Sequence, residues 1–238
     1  MRRLFMTALS LLALGGVARA ADLPPAPQLP PLEAQPVWTG FYAGLNVGGA
    51  FGSSRNAFNI AGFGLPTFNT PLQGVIGGGE AGYNWQTGPW VLGLEASFDG
   101  SGLGGGRNAP CLPPLCGALA ASYRQNLPWF GTLRPRVGYA FGNWLLYATG
   151  GGVLGQIDTR ATAAVGPFVA TDNRSQTRDG WTLGGGVELE LLAGWSAKIE
   201  YLYVDLGSRT TTYLSTPPIS NASRFSANVI TAGVNYHF

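Results

Sequence analysis

The charged side chains that could do chemistry in this sequence sit in segments where polar and apolar residues alternate. Eight of them occupy the polar positions of such segments. They are Glu80, Glu95, Arg134, Arg136, Glu188, Glu190, Lys198 and Glu200. Because residues of one parity share a face of an extended segment, these carboxylates and basic groups are expected to meet on a common face. The set contains two more acids than bases.

Two interpretations of this charged set stay open. One is a gate or a narrow cation path, in which the surplus carboxylates attract cations. The other is a polar plug that stabilises a closed structure, because unpaired charges are costly in a narrow space of low dielectric. In either case water, a bound cation or protonated carboxyl groups must absorb the two surplus acids.

Catalysis and metal binding have little support in the sequence. His237 is the one histidine and is predicted to be an interfacial or lumen-end residue, so Cys111 and Cys116 lack further metal ligands. The glycine-rich segments 74–82 and 100–106 open no helix, so neither resembles a phosphate-binding loop. We therefore expect neither an enzyme nor a bound cofactor or metal.

The alternation of residue types predicts eight strands, each with an apolar face and a polar or small face. The predicted strands, of about 10 to 14 residues, span 38–52, 74–85, 90–99, 129–139, 144–155, 181–191, 195–205 and 225–238. The facing of the strand at 144–155 stays open, because both of its sides are apolar or glycine. The connections alternate between long and short, which is typical of a membrane barrel with short turns at one end.

The composition excludes most other classes. Only 11 % of the residues are charged, 45 % are hydrophobic, and 37 of the 238 are glycine. After residue 20 there is no apolar run of about 18 residues, so a helical membrane protein is excluded. Strands of this length can cross a membrane at a tilt. The predicted fold is all-β: an eight-stranded, antiparallel, up-and-down transmembrane β-barrel covering residues 38–238.

All seven tryptophans fall at the ends of predicted strands, as interfacial residues do. Those assigned to the short-turn side are Trp38, Trp85, Trp90, Trp144 and Trp195, and those assigned to the long-loop side are Trp129 and Trp181. A soluble β protein would place its tryptophans in a core rather than at strand ends. The distribution predicts two aromatic girdles.

The first twenty residues have the features of a secretory signal peptide: a basic start, an apolar stretch and a small-x-small site ending at Ala20. Cleavage there removes three arginines and changes the formal net charge from +2 to −1. Residues 21–37 are rich in proline, which predicts a semi-rigid periplasmic lead. In an exported chain, Cys111 and Cys116, separated by four residues, are predicted to form a disulfide that orders a loop tip locally.

The predicted long connections are rich in arginine. The residues concerned are Arg55, Arg107, Arg124, Arg160, Arg174, Arg178, Arg209 and Arg224. Guanidinium groups bind phosphate in a bidentate manner, and the outer leaflet of a Gram-negative outer membrane carries phosphorylated lipopolysaccharide. These arginines are therefore predicted to contact lipopolysaccharide, against the alternative of ordinary solvated loop charge.

Several segments together carry a family resemblance. They are WTGFYAGLNVGGAFG (38–52), WFGTLRPRVGYAFG (129–142), WLLYATGGG (144–152), GWTLGGGVELE (180–190), WSAKIEYLYVDLG (195–207) and VITAGVNYHF (229–238). This ensemble resembles the small surface-antigen barrels of Gram-negative bacteria, the opacity-type and OmpA-like "porin family" proteins. The resemblance implies residence in the outer membrane, and it implies that Phe238 is the aromatic signal read by the outer-membrane assembly machinery. Pro135 departs from the family pattern, and a ladder hydrogen bond is expected to be missing there.

The function predicted from these observations is structural and interactive. The barrel is expected to support membrane integrity and to present its loops to lipopolysaccharide or to an external partner, with homo-oligomers also possible. No nucleic-acid partner is expected. The alternative is a narrow porin-like channel for ions or small solutes. A lipid-modifying enzyme is a third hypothesis, disfavoured by the position of His237.

Overall fold

The computed structural model describes residues 38–60, 63–64, 67–108, 119–192, 194–213 and 219–238. The eight long strands are β1 Gly40–Ile60, β2 Phe68–Thr87, β3 Trp90–Asn108, β4 Leu119–Phe141, β5 Trp144–Val165, β6 Phe168–Leu192, β7 Trp195–Tyr213 and β8 Ile219–His237. A two-residue strand, Phe63–Gly64, folds back onto the end of β1. No helix among these residues is long and apolar enough to cross a membrane. The predicted signal peptide, the proline-rich lead and both cysteines lie outside the described residues.

The strands close into a barrel. Each pairs antiparallel with the next, and β8 pairs back with β1 over a ladder that runs from Tyr42 opposite His237 to Ile60 opposite Ile219. Closure gives partners to the backbone N–H and C=O groups, which lipid cannot do. The predicted eight-stranded antiparallel barrel is confirmed.

The predicted facing of the strands is also confirmed. Residues assigned to the apolar face, such as Leu94, Leu183 and Ile199, are more than half exposed on the outer surface of the barrel. Strand β5, whose facing the sequence left open, directs Leu145 inward and Leu146 outward.

The strands are longer than predicted, with 19 to 25 residues each. The segment 156–180, predicted to be a loop, consists almost entirely of strand and turns at Gly166 and Pro167. In this segment neighbouring positions carry residues of the same type, small or apolar at 163–170 and polar at 171–179, so the hydrophobic alternation disappears while the backbone ladder continues. Strand prediction from alternation therefore stops where the membrane-facing part stops.

Two ladders end where the strands leave the apolar band. The β2–β3 ladder ends at Gln73 and Gly104, and the β6–β7 ladder ends at Trp181 and Asp205, although all four strands continue. Beyond these points the strands form two sheets, one of β7, β8, β1 and β2 and the other of β3 to β6. We call this the extended end of the barrel, and the opposite end, where the chain turns at Gly88, Gly142 and Gly194, the turn end.

Aromatic pairs mark the two limits of the apolar band. At the turn end Trp90 packs edge-on against Tyr139, with ring centroids 5.4 Å apart, and at the other limit Phe98 stacks on Trp129 at 5.6 Å. Ten residues separate Trp129 from Tyr139 along β4, which at about 3.3 Å per residue and a tilt of about 40° spans roughly 25 Å. That is the height of a lipid-facing band.

Trp38 is the exception to the predicted girdles. It is 1 % exposed and packs with Val91 and Leu145 inside the turn end, and its ring meets His237 edge-on at 5.5 Å. The prediction that Trp38 faces the membrane interface is wrong. The residue precedes the first strand, so the chain can fold the indole across the opening of the barrel.

The interior holds a layer of apolar side chains that the sequence analysis did not predict. We call it the apolar layer; it consists of Ala50, Leu72, Ile76, Leu103, Leu127, Phe130, Val153, Ile157, Leu202, Val204, Leu206, Phe225, Ala227 and Val229. All are at most 5 % exposed. Phe130 and Arg134 have the same parity on β4, so the apolar layer and the charged residues follow one another along the lumen.

Close strand packing depends on glycine at inward positions. A Cβ on Gly48 of β1 would lie 2.0 Å from the backbone oxygen of Ile230, whereas a Cβ on the outward Gly152 would meet no atom within 4 Å. We expect Gly48→Ala to lower the free energy of unfolding by about 1–3 kcal/mol, because the β1–β8 ladder must spread. Urea unfolding in lipid vesicles, followed by tryptophan fluorescence, measures this, with Gly152→Ala as the matched control. Equal stability of the two variants would contradict the close packing.

Candidate functional site

Arg134 joins two carboxylates across the lumen. Its Nη1 donates to Glu200 Oε1 at 2.9 Å, and its Nη2 donates to Glu95 Oε1. The three residues come from β4, β7 and β3, and each is at most 3 % exposed. Because the barrel is narrow, side chains from opposite walls reach each other directly.

Arg136 extends the same network toward the turn end. Its Nη2 donates to Glu188 Oε2 at 3.0 Å, and its Nη1 lies 3.4 Å from Glu95 Oε2. The guanidinium also lies over two aromatic rings, 4.9 Å from the centroid of Tyr42 and 4.7 Å from that of Tyr147. Cation–π contacts of this kind stabilise a cation that has left water.

Lys198 contacts the carboxylates on the other side of the network. Its Nζ donates to Glu80 Oε2 at 2.6 Å and lies 3.4 Å from Glu95 Oε2 and 3.9 Å from Glu200 Oε2. Four acids therefore face three bases. We call these seven residues the charged layer: Glu80, Glu95, Arg134, Arg136, Glu188, Lys198 and Glu200.

Glu190 is outside the charged layer, although the sequence grouped it there. It is only partly buried and lies beside the irregularity between Glu190 and Leu192, at the turn end of β6. It makes none of the ion pairs found among the described residues. Within the charged layer the acids consequently outnumber the bases by one, and Asp99, 4 % exposed, is a further acid in the lumen beside it.

Neutral donors satisfy part of the surplus negative charge, at Glu95, Glu200 and Glu188. The Tyr42 hydroxyl donates to Glu95 Oε2 at 2.7 Å, and the Tyr147 hydroxyl donates to Glu200 Oε2 at 2.9 Å. Glu188 Oε1 accepts from Ser196 Oγ at 2.5 Å and from Asn235 Nδ2 at 2.8 Å. Hydrogen bonds from neutral groups thus compensate buried carboxylates that outnumber the cations.

These neutral donors were missed in the prediction of site residues. Tyr42, Ser196 and Asn235 have the inward parity of their strands, so parity alone could have found them. Tyr147 lies on β5, whose facing the sequence did not determine. A search restricted to charged residue types leaves out the groups that balance those charges.

Ser196, His237 and Glu188 lie together but do not form a catalytic triad. His237 Nε2 is 3.1 Å from Ser196 Oγ and 3.3 Å from Glu188 Oε1, so a single ring nitrogen faces both partners. A triad needs the base and the orienting carboxylate on opposite nitrogens of the histidine. Ser196 is also fully buried. Ser196 and His237 instead hold the carboxylate of Glu188 in place at the turn end.

Pro135 interrupts a ladder, as predicted. The β4–β5 register passes from Leu133 opposite Gly152 to Arg136 opposite Thr149 without pairs between them. The Thr149 hydroxyl donates to the Pro135 carbonyl at 3.0 Å and so replaces a backbone donor.

The arginines of the extended end divide into two sets. Four of them have exposed side chains on the outer surface of the barrel, and we call these the rim arginines: Arg55, Arg124, Arg160 and Arg224. Arg55 stands directly opposite Arg224 on the neighbouring strand, and Arg124 stands directly opposite Arg160. The other four, Arg107, Arg174, Arg178 and Arg209, occupy inward positions.

Arg178 is a correction to the predicted lipopolysaccharide contacts. It is 4 % exposed, and its Nη2 donates to Ser223 Oγ at 2.7 Å across the interior. Parity turns its side chain away from lipid, since Asp179 has the outward position beside it. Arg174, Arg107 and Arg209 are inward by the same criterion.

Phe238 lies at the turn end, where its backbone N–H donates to the Phe41 carbonyl at 2.9 Å. The ring is 77 % exposed and packs edge-on against Tyr236. Its predicted role as an assembly signal stays a prediction. Among the described residues no group of three or more histidine, cysteine or acidic side chains could hold a metal ion.

The comparisons with known proteins agree with this architecture. The family model described as "Outer membrane protein beta-barrel domain" matches residues 7–238. The 31 kDa outer-membrane immunogenic protein of Brucella melitensis is 32 % identical over 93 % of each chain. The 22 kDa outer membrane protein of Rhizobium leguminosarum is 32 % identical over 75 % of this chain and 69 % of its own length. The crystal structure of the outer membrane protease OmpT of Escherichia coli has a similar fold, with a TM-score of 0.54 at 10 % identity over 84 % of this chain and 97 % of its own.

Removing one cation should test how far the charged layer stabilises the barrel. Arg134→Gln removes the guanidinium that donates to both Glu95 and Glu200 and leaves Lys198 as the one cation within 4 Å of both among the described residues, so we expect the free energy of unfolding to fall by about 3–5 kcal/mol. Glu190→Gln removes a charge outside the layer and should change it by less than about 0.5 kcal/mol. Urea unfolding in lipid vesicles measures both variants. Similar values for the two would mean that the ion pairs contribute little.

Proposed function

The chain belongs to the outer membrane protein beta-barrel domain family, and within that family we propose that it is a sealed structural barrel whose rim arginines bind lipopolysaccharide. The proposal has two parts, a lumen that does not conduct and an outer rim that holds phosphate. Each part rests on a different set of residues and has its own experiment.

The observation that carries the first part is the succession of two filled layers in the lumen. The charged layer is at most 6 % exposed, and the apolar layer beyond it contains Phe130, Leu127 and Leu202. Between them is a small cavity, lined in part by Glu80 and Asp99, with room for about one water molecule. A hydrated ion moving along the lumen would have to break buried ion pairs and then lose its water against apolar side chains, which costs several kcal/mol at each step.

The rival function is the narrow channel for ions or small solutes. The charged layer alone is compatible with a cation path, because its acids outnumber its bases. The apolar layer is what favours the sealed barrel, since it gives a permeating ion no ligand. The enzyme hypothesis has no support in the geometry of Ser196 and His237, and we propose a non-enzymatic role.

Planar-bilayer recording tests the sealed lumen. The purified full-length protein should add no steady conductance, because both layers must open together for an ion to pass. A variant with Leu127→Ala and Phe130→Ala thins the apolar layer and should increase the frequency of brief openings. Steady unitary openings of the unchanged protein would contradict the proposal and favour the channel.

The proposal that the outer rim binds lipopolysaccharide rests on pairs of rim arginines that stand side by side. Guanidinium groups directly opposite each other on neighbouring strands repel, as in the pairs of Arg55 with Arg224 and of Arg124 with Arg160. Asp205 offsets part of this repulsion, since its Oδ2 accepts from Arg224 Nη2 at 2.7 Å. A phosphate between two arginines would remove the rest through bidentate hydrogen bonds.

The height of the rim arginines fits that partner. Arg55 lies four residues beyond Phe51, the last outward aromatic of β1, which is roughly 10 Å above the apolar band at a tilt of about 40°. Phosphate groups of an outer leaflet lie just above its acyl chains. If the extended end faces outward, as in a barrel with short periplasmic turns, the rim arginines reach them.

Binding of purified lipopolysaccharide to the refolded protein tests the rim. The double variant Arg55→Gln/Arg224→Gln should weaken the apparent affinity about fivefold, as expected for the loss of about 1 kcal/mol of charge pairing. The control is Arg107→Gln/Arg209→Gln, which loses the same charge from inward positions and should bind like the unchanged protein. Equal weakening by both double variants would point to net charge rather than to the rim.

A further inference from the structure

The interior of the extended end is polar and basic. Beyond the apolar layer the two sheets face each other, and their inward positions carry four arginines against Asp172. Arg178 crosses this interior from β6 to β8, where Nη1 lies 3.3 Å from the Ser223 carbonyl and Nη2 lies 2.7 Å from its hydroxyl. Asp172 Oδ2 accepts from Arg174 Nε at 3.0 Å. Among the described residues, the inward side chains at this end therefore include more cations than anions.

A narrow cavity lies between these side chains. Hydrogen-bonding residues line it, among them Arg174, Arg178, Tyr123, Asn221, Ser223 and Thr159. The Asn221 amide lies 3.3 Å from the Tyr123 hydroxyl, which joins the two sheets across the cavity. The space has room for about one water-sized atom. Its lining is rich in N–H and O–H donors, which is the complement of an anion.

Gln125, next to the lining residues of the cavity, is an independent sign of unsatisfied polar groups in this interior. It is fully buried, and neither its amide nitrogen nor its amide oxygen has a hydrogen-bond partner among the described residues. It shares the inward face of β4 with Tyr123 and stands directly opposite Thr159 on β5, and both of these residues line the cavity. A buried amide without partners costs about 1–3 kcal/mol, so a polar group held in the neighbouring cavity is favoured where it makes this interior more polar.

We propose that this cavity binds a phosphate or sulfate group that enters from the extended end. One oxygen of the oxyanion occupies the enclosed space between Arg174 and Arg178, and the rest of the group points out of the barrel. Arginine is suited to this ligand because its planar fork matches the spacing of two oxyanion oxygens. The site is distinct from the rim arginines, whose side chains are on the opposite face of the same sheets.

Isothermal titration of the refolded full-length protein with inorganic phosphate and with sulfate tests the proposal, with sodium chloride keeping the ionic strength constant. We expect one ion bound per chain. Arg178→Gln should weaken binding at least about tenfold, because it removes a charge-assisted contact. The matched control is Arg209→Gln, which loses the same charge on an inward position outside the cavity. Arg209 stands opposite Ser223 but is exposed and does not line the cavity, so the substitution should change the affinity by less than about twofold, since solvent screens an exposed charge.

Two further measurements test the site if the first variant does not fold and distinguish it from binding of lipid phosphate. If Arg178→Gln does not fold, Tyr123→Phe removes one hydroxyl from the lining and should weaken binding severalfold while leaving the barrel intact. Added lipopolysaccharide should not displace the bound phosphate, because lipid phosphates reach only the outer surface. The proposal is overturned if the unchanged protein gives no saturable binding of either ion, if Arg178→Gln binds as tightly as the unchanged protein, or if lipopolysaccharide competes.

Discussion

The structure depends on the inability of lipid to hydrogen-bond. Each backbone N–H and C=O inside the membrane must find its partner within the sheet, so the strands close on themselves through the β1–β8 ladder. Closure then fixes the diameter, because eight strands leave an interior only wide enough for side chains. Glycines such as Gly48 allow neighbouring strands to approach, and every inward side chain must pack against those of the opposite wall.

In so narrow a lumen, the order of the apolar and charged layers determines where charged side chains can be buried. Arg134 and Arg136 are stable inside because carboxylates accept from both guanidinium groups, and the rings of Tyr42 and Tyr147 also pack against Arg136. The apolar layer keeps bulk water from the extended end away from these pairs, which strengthens them. The indole of Trp38 covers the turn end in the same way. The charged layer is thus enclosed between apolar groups.

Sequence patterns predicted the lipid-facing side of the strands and missed much of the packing inside the lumen. Alternation identified the outward face of every strand but β5, because lipid requires apolar residues there. Phe130 and Leu127 could not be assigned in this way, since an inward apolar residue looks the same as an outward one. The irregularity between Asn126 and Trp129 also shifts the parity of β4, so that odd-numbered residues face inward up to Leu127 and outward from Trp129 onward. Tyr147 was missed because glycine and apolar residues occupy both faces of β5.

The arginines of the extended end illustrate how much one residue of register decides. Arg160 and Arg174 both lie on the β5–β6 hairpin, yet Arg160 pairs with Asn173 on the outer face, and Arg174 pairs with Thr159 on the inner face. Counted from the sequence, they form a single basic loop. Folded, they belong to surfaces with different partners, one beside the membrane and one within the barrel. Continuation of the ladder beyond the lipid band therefore gives this end two basic surfaces, because each strand assigns successive side chains to opposite faces.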